Sequence, residues 1–463
     1  MNPSTALESK IATTTARIAV IGLGYVGLPL AAAFAEVGFP VAGVDVNPER
    51  VAAINRGQSY LLDVPSERIG ALRASGGLQA TVDYDALRDA DAIFICVPTP
   101  YDRQRAPDLS YIVSAAQGIA ERLRPGQLVV LQSTTYPGTT EEEVQPILER
   151  GGLRAGQDFY LAFSPERTNP GDREHTVFNT PKVVGGVGAR SAALTAALLG
   201  RLGAPVHVVS SPRAAEMTKL LENIFRSVNI ALVNELALLA ERMGIDIWEV
   251  IGAAASKPFG FMPFTPGPGV GGHCIPVDPY YLSWKAREYD FHTKFIEFAA
   301  EVNQDMPYHV VDRVAEALNR CGKPLQGADV LLLGVTFKRD VDDARNSPAG
   351  RIVELLVRAG ARVSYNDPYV PVFRVGDDVF CRHSIELQSE PLTSERVRAA
   401  DCVVIVAGHS AYDYAWLARE ARLIVDTVNA THGAASDHIV RLGAPGDVIR
   451  NTTPPKKALT TED

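Results

Sequence analysis

Positive charge is the minority charge in this sequence: 45 Lys and Arg stand against 54 Asp and Glu in 463 residues, for a formal net charge of −9 and a pI near 5.6. A general reader of nucleic acid is thereby excluded, because phosphate backbones select an extended positive field; a local basic pocket for one small phosphate ligand is still compatible. Cysteine is scarce as well. The five cysteines, at 96, 274, 321, 381 and 402, are odd in number and lack CxxC spacing, so neither a disulfide framework nor a thiolate metal site is expected, and a reducing cytoplasm fits. Long apolar runs are absent but for Ile18 to Ala35, which is uncharged yet broken by Gly22, Gly24 and Gly27 and preceded only by Lys10 and Arg17 as basic residues; it reads as neither membrane span nor signal peptide. With 46% hydrophobic and 21% charged residues, the length suggests a soluble protein of two or three domains.

Strand-like and helix-like runs alternate along the chain. RIAVIGL and VAGVDV flank a helical PLAAAFAEVG, and DAIFICV and LVVLQST follow, which is the rhythm of a parallel sheet. A second such unit starts near Asp329 with DVLLLGV, SPAGRIVELLVRAG and RVSYND, and continues with DCVVIVAG and RLIVDTV. Between them, 212–244 carries the longest helical pattern, whose apolar breadth exceeds one stripe; an internal core helix or a helix covered by a second subunit both account for it. Residues 1–16 and 451–463 read as loose termini. The expected division is therefore 17–210, 211–310 and 311–450.

Gly22-Leu23-Gly24-Tyr25-Val26-Gly27 follows an apolar strand and precedes a helix, and Asp45 ends the next strand. In a dinucleotide site the first glycine permits the turn, the second admits a pyrophosphate and the third lets helix and strand pack, while the acid accepts from a ribose 2′-hydroxyl. Asp45 points to NAD over NADP, since a 2′-phosphate would meet a like charge. A glycine turn serving packing alone is the competing reading.

Cys274 stands apart from the apolar strand cysteines Cys96 and Cys402, in GPGVGGHC with a helix expected from about Pro276. Glycine-rich backbone and a following helix suit a nucleophilic thiolate, and a buried loop cysteine is the alternative. His273 is an unsuitable base for it, because adjacent side chains seldom face each other. Lys219 and Asn223, four apart on the long helix, could stabilise an oxyanion or could form a solvated stripe. Glu166 in FSPER follows a strand and belongs at the ligand edge of the sheet or on a loop surface. Lys338 in GVTFKR ends the first strand of the second sheet, where it could hold a second nucleotide's phosphates.

Together these segments resemble the UDP-glucose/GDP-mannose dehydrogenase family of nucleotide-sugar 6-dehydrogenases. The resemblance spans about 17–429 and rests on IGLGYVGLPLA, VPTP at 97–100, STTYPGTT at 133–140, FSPER at 163–167, KLLENIFRSVNIALVNELA at 219–237, PGPGVGGHCIPVDPYYL at 266–282 and GVTFKRDVDDARNSP at 334–348. GQSYLLDVPSERI at 57–69 and KPFGFMPFTPGPGVGGHCIPVDP at 257–279 are most similar to the branch that acts on UDP-N-acetylglucosamine. The implied fold is α/β, with two Rossmann-like doubly wound domains joined by a long central helix.

The implied chemistry is oxidation of a primary alcohol to a carboxylate with two NAD, by way of a thiohemiacetal and a thioester on Cys274. In that frame Lys219 and Asn223 stabilise the oxyanion, Asp278 and Thr134 hold or activate water, and Glu166 assists hydrolysis or substrate placement. Gly22, Gly24, Tyr25, Val26, Gly27, Asp45, Arg50, Thr99, Thr134 and Arg345 would contact NAD. Glu166, Arg167, Lys219, Asn223, Phe261, Gly269, Phe337 and Lys338 would contact the UDP-sugar, and Lys257 is the candidate basic residue lent by a second subunit of a homodimer or larger homo-oligomer. No metal, nucleic acid or membrane partner is implied. The family commonly carries an arginine after the Asp of the last strand; here the run is Asp426-Thr427-Val428-Asn429.

Overall fold

The central apolar runs, such as Ile18–Ile21, Ala92–Ile95, Leu128–Leu131, Tyr160–Phe163 and Cys402–Ile405, become strands buried on both faces, as a sheet covered by helices on each side requires. The computed structural model describes residues 3–102, 106–168, 174–376, 384–434 and 436–445. Its first sheet has eight strands: β1 (Ile18–Ile21), β2 (Val41–Val44), β3 (Leu78–Thr81), β4 (Ala92–Ile95), β5 (Leu128–Leu131), β6 (Tyr160–Phe163), β7 (Lys182–Gly186) and β8 (Val206–Val209). Their order is β3-β2-β1-β4-β5-β6-β7-β8, the first six mutually parallel. The pairing of β6 with β7 is antiparallel, joining Ala162 to Gly186 and Phe163 to Gly185.

A second sheet, all parallel, has the order β10-β9-β13-β14-β15 and is built from β9 (Asp329–Leu333), β10 (Arg362–Asn366), β13 (Cys402–Ile405), β14 (Ile424–Asp426) and β15 (Ile439–Arg441). The chain between β10 and β13 forms a hairpin of β11 (Val372–Val375) and β12 (Ile385–Gln388). The 32-residue helix Pro212–Met243 matches the expected long element.

By internal contacts the chain forms two units, Met1–Ile224 with Val277–Thr293, and Phe225–Pro276 with Lys294–Asp463. The long helix thus starts in the first and continues into the second. In the second unit the end of β15 is pinned to the helical region: Ile247 N donates to Gly443 O, Trp248 Nε1 to Leu442 O, and Arg441 pairs with Asp246 at 2.7 Å.

The N-terminal stretch corrects the reading of a loose end. Pro3–Ala12 is a helix whose Leu7 and Ile11, one turn apart, are almost fully buried in the first core, with Lys10 paired to Asp91 at 2.8 Å. Thr- and Ser-rich composition concealed an i, i+4 apolar pair. Residues 451–463 and Cys381 lie outside the described residues. Among the described residues no helix is long and apolar enough to cross a membrane, and no group of three or more His, Cys, Asp or Glu could hold a metal.

Candidate active site

The glycine motif lies between β1 and the helix Gly27–Glu36, and two of its three glycines have an internal reason. Gly22 takes φ +87°, and a Cβ there would stand 2.6 Å from Cys96 O; at Gly27 a Cβ would stand 1.8 Å from Gly22 O. A Cβ on Gly24 would meet nothing within 4 Å. The protein's own packing therefore does not demand glycine at 24, and open space beside a helix N-terminus without a side-chain cap is what a pyrophosphate needs. Tyr25 and Val26, both half-buried, complete the turn, with Val26 at the N-cap.

Asp45, just beyond β2, is buried and accepts from Leu23 N at 2.7 Å and Asn47 N at 2.9 Å, with Arg50 Nη1 at 3.5 Å. The guanidinium of Arg50 lies over the ring of Tyr60, whose hydroxyl donates to Leu23 O at 2.5 Å. The ribose acid is thus bound into the glycine turn it serves. The residues present fit NAD. Thr99 is buried beyond β4 and its carbonyl accepts from Tyr281 Oη, while Thr134 is half-buried beyond β5.

One face of the long helix brings Glu216, Lys219 and Asn223 together at spacings of three and four, all buried. Glu216 accepts from Gly138 N at 2.6 Å and from Thr140 N and Oγ1 at 2.9 and 2.7 Å, which fastens the STTYPGTT segment to this face. Asn223 Nδ2 donates to Asp278 Oδ2 at 2.5 Å. Burial pushes the Asp278 carboxyl up to about 7, against the opposing charge of Lys219 and the Asn223 hydrogen bond. The structure therefore places Lys219, Asn223 and Asp278 in one cluster, with a carboxyl able to exchange protons near neutrality.

Glu166, three residues beyond β6, is buried and fully engaged, and its principal partner is Lys182, which sequence reasoning missed. Arg167 pairs with Glu222 at 2.5 Å and donates to Pro181 O.

In the second unit the Cys274 loop has its own supports. Gly267 N donates to Asn234 Oδ1 and Gly272 N to Arg345 O, and Asn346 Nδ2 donates to Gly272 O. Phe337, half-buried, packs where Gly271 and Gly272 lack side chains, and Gly269, at φ +128°, sits against Asn303 O and Pro348. Cys274 is exposed, whereas Cys96 and Cys402 are buried with thiols pushed up by burial. Burial and the Arg345 charge push His273 below its ordinary range, so it is neutral at pH 7. The helix after Cys274 is Asp278–Ala286, two residues later than expected, so Asp278 and not the cysteine occupies its first turn. Arg345 pairs with Asp343 at 2.6 Å; Phe261 and Lys257 are exposed, the latter over the Phe259 ring, and Lys338 is half-buried. A cation does stand beside the position where the family arginine is missing: Arg441 Nη1 donates to Asn429 Oδ1 at 3.0 Å.

Comparison with known proteins gives these features a family. Residues 16–202 match the NAD binding domain of the UDP-glucose/GDP-mannose dehydrogenase family, 213–305 its central domain and 331–433 its UDP binding domain. The chain is 38% identical to the UDP-N-acetyl-D-glucosamine 6-dehydrogenase of Pseudomonas aeruginosa over 86% of its own length and 91% of that protein. The chain belongs to the UDP-glucose/GDP-mannose dehydrogenase family. It is 39% identical to the UDP-N-acetyl-D-mannosamine dehydrogenase of Pyrococcus horikoshii over 76% of its length and 84% of that protein. A solved structure of a UDP-D-ManNAc dehydrogenase from Pyrococcus horikoshii superposes with a TM-score of 0.83 at 34% identity, covering 92% of this chain and 99% of the other. This dehydrogenase is an NAD-dependent oxidoreductase of nucleotide sugars.

Two predictions concern the cofactor. Gly24→Ala should leave stability within about 1 kcal/mol of the unmodified protein while weakening NAD binding at least tenfold. Gly27→Ala should lower both, because the new methyl collides with backbone; thermal melting with and without NAD separates the two variants. The unmodified enzyme should prefer NAD to NADP, and Asp45→Ala should raise KM for NAD about tenfold with a smaller change in kcat. Equal kcat/KM for the two cofactors would contradict the role given to Asp45.

Proposed function

We propose that this chain oxidises the 6-hydroxymethyl group of a UDP-hexose, UDP-N-acetylglucosamine first, to the uronic acid in two successive two-electron steps. The observation that carries the reading is the buried Lys219, Asn223 and Asp278 cluster, in which a cation and an amide donor flank a carboxyl titrating near neutrality. When bound, NAD supplies hydride acceptance. Asp278, with water that it and Thr134 would hold, takes the proton that leaves the alcohol and passes it to solvent, and Cys274 thiolate adds to the carbon of the aldehyde left once the first hydride has gone to NAD. Lys219 and Asn223 stabilise the resulting oxyanion. Loss of a second hydride leaves a thioester, and water activated by Asp278 displaces the thiol and releases the carboxylate.

Glu166 and Arg167 support substrate placement, Phe337, Lys338, Phe261 and Gly269 hold the sugar nucleotide, and Thr99, Arg50 and Arg345 contribute to the cofactor site. The two substrate names among the relatives differ at C2 of the sugar, so a panel of UDP-N-acetylglucosamine, UDP-N-acetylmannosamine and UDP-glucose decides the hexose. Two NADH per sugar is the expected yield; one would indicate an ordinary alcohol dehydrogenase, and none a silent homologue.

The active unit is a dimer or larger assembly through the long helix, with Lys257 the basic residue offered to a partner's substrate. Exposed Met217, Leu221, Phe225, Leu232, Leu236, Leu239 and Met243 recur every three, four or seven residues along it, an apolar stripe that favours association.

Cys274→Ala should abolish uronic acid formation, by roughly a thousandfold or more in kcat, while retaining NAD binding and folding. Cys96→Ala should instead lower stability. Near-normal turnover of the Cys274 variant would sink the covalent route. Sedimentation should show an assembly larger than the 49.8 kDa chain, and Leu232→Glu should reduce assembly and activity together; a fully active monomer would refute the interface.

A further inference from the structure

Because β7 runs antiparallel to β6, its amino end lies at the carboxyl end of β6, among the strand ends where a parallel sheet binds ligands. Lys182 opens β7 and Glu166 follows β6, and both are more than nine-tenths buried. Lys182 Nζ lies 3.1 Å from Oε1 and 3.3 Å from Oε2 of Glu166. Arg167 N and Thr168 N each donate to Oε1 at 2.8 Å, and Gln132 Nε2, just beyond β5, donates to Oε2 at 3.0 Å. Cys96, beyond β4, is a further titratable group that feels the Glu166 charge, whereas the Arg167 guanidinium is engaged by Glu222 and Pro181 O.

We propose that Lys182 is a positioning residue of the oxidation: it holds Glu166 as a fixed anion at the ligand edge, leaving proton handling to Asp278. The inference rests on the dehydrogenase reading above. Burial opposes the Glu166 charge, but Lys182 and two backbone donors outweigh it and hold the carboxyl below the usual range, whereas Asp278 is pushed up to about 7 by burial. Two carboxyls driven apart in this way take different roles, one permanently charged and one able to exchange a proton. The anchoring also reaches the helix face, because Arg167, next to Glu166, pairs with Glu222, which sits between Lys219 and Asn223. Gln132 Oε1 is a buried acceptor without a partner among the described residues, so the cluster can accept one more donor.

The test compares Lys182→Met, Lys182→Arg, Glu166→Gln and Lys182→Met/Glu166→Gln with the unmodified enzyme, by thermal melting and NADH formation across about pH 5.5 to 8.5. In unmodified protein the folded pKa of Glu166 lies below its unfolded value of about 4.3, so its contribution is complete across this range and is lost only at lower pH. In Lys182→Met the folded pKa lies above the unfolded value, so stability is lost as pH rises through it and the melting deficit widens toward alkaline pH. That widening should vanish in the Glu166→Gln background and in Lys182→Arg. The acid limb of kcat should move up by about one pH unit or more in Lys182→Met, beyond the limb that Asp278 gives every variant, and Lys182→Arg should restore it. Lys182→Met should change kcat little in the Glu166→Gln background. A deficit independent of pH, or an equal loss of kcat in both backgrounds, would overturn the proposal. If Lys182→Met alone does not fold, refolding of the double variant supports the pair and its failure counts against it. If unmodified enzyme forms no NADH from any UDP-sugar, the dehydrogenase reading fails, while the melting comparison still decides whether Lys182 holds the anion.

Discussion

Burying a carboxylate is costly unless donors or a cation answer its charge, and the first unit buries four of them near the ligand edge of its sheet. Asp45 is answered mainly by backbone N–H groups, Glu216 by two backbone donors and a hydroxyl, and Glu166 by an ammonium, an amide and two backbone donors. Burial prevails over these donors at Glu216, whose carboxyl is raised, and at Asp278, which receives one amide hydrogen bond and the field of Lys219 and is pushed up to about 7. The least compensated acid is the one to which the chemistry is given. The other three shape the site around it: the cofactor turn closes on Asp45, the STTYPGTT loop docks on Glu216, and the FSPER loop folds on Glu166.

What was legible in the sequence follows the reach of each interaction. Gly22, Gly27 and Asp45 lie within one strand–helix–strand unit, so their spacing states their geometry, and the helix 212–243 announces itself by periodicity. Lys182, Gln132 and Glu216 carried no such signal. Their partners lie 16, 34 and up to 78 residues away, and the meeting depends on a strand reversal and a helix docking that no local pattern reports. Cys274 was singled out by its glycine-rich loop and by the family motif, and the structure leaves it exposed. The later start of the helix after it was not legible, since Pro276 and Pro279 both suit a first turn. At the N-terminus, weak composition hid Leu7 and Ile11, whose burial is decided by packing.

The second sheet repeats the turn of the first. Gly334 takes φ +77° as Gly22 takes +87°, Gly334 N donates to Asn366 O as Gly22 N does to Val44 O, and Val335 N donates to Asp367 Oδ2 at 2.7 Å as Leu23 N does to Asp45. The resemblance ends at the acid itself. Buried His409, beyond β13, accepts from Asp340 N at Nδ1 and presents Nε2 to Asp367 Oδ2 at 3.1 Å, and Asp367 takes two further backbone donors from Tyr369 and Val370. An imidazole thus occupies a carboxylate oxygen whose counterpart in the first sheet accepts from Leu23 N, with Arg50 Nη1 at 3.5 Å. The acid of the second sheet is already satisfied by a side chain, so two turns alike in their backbone present different faces to a ribose hydroxyl.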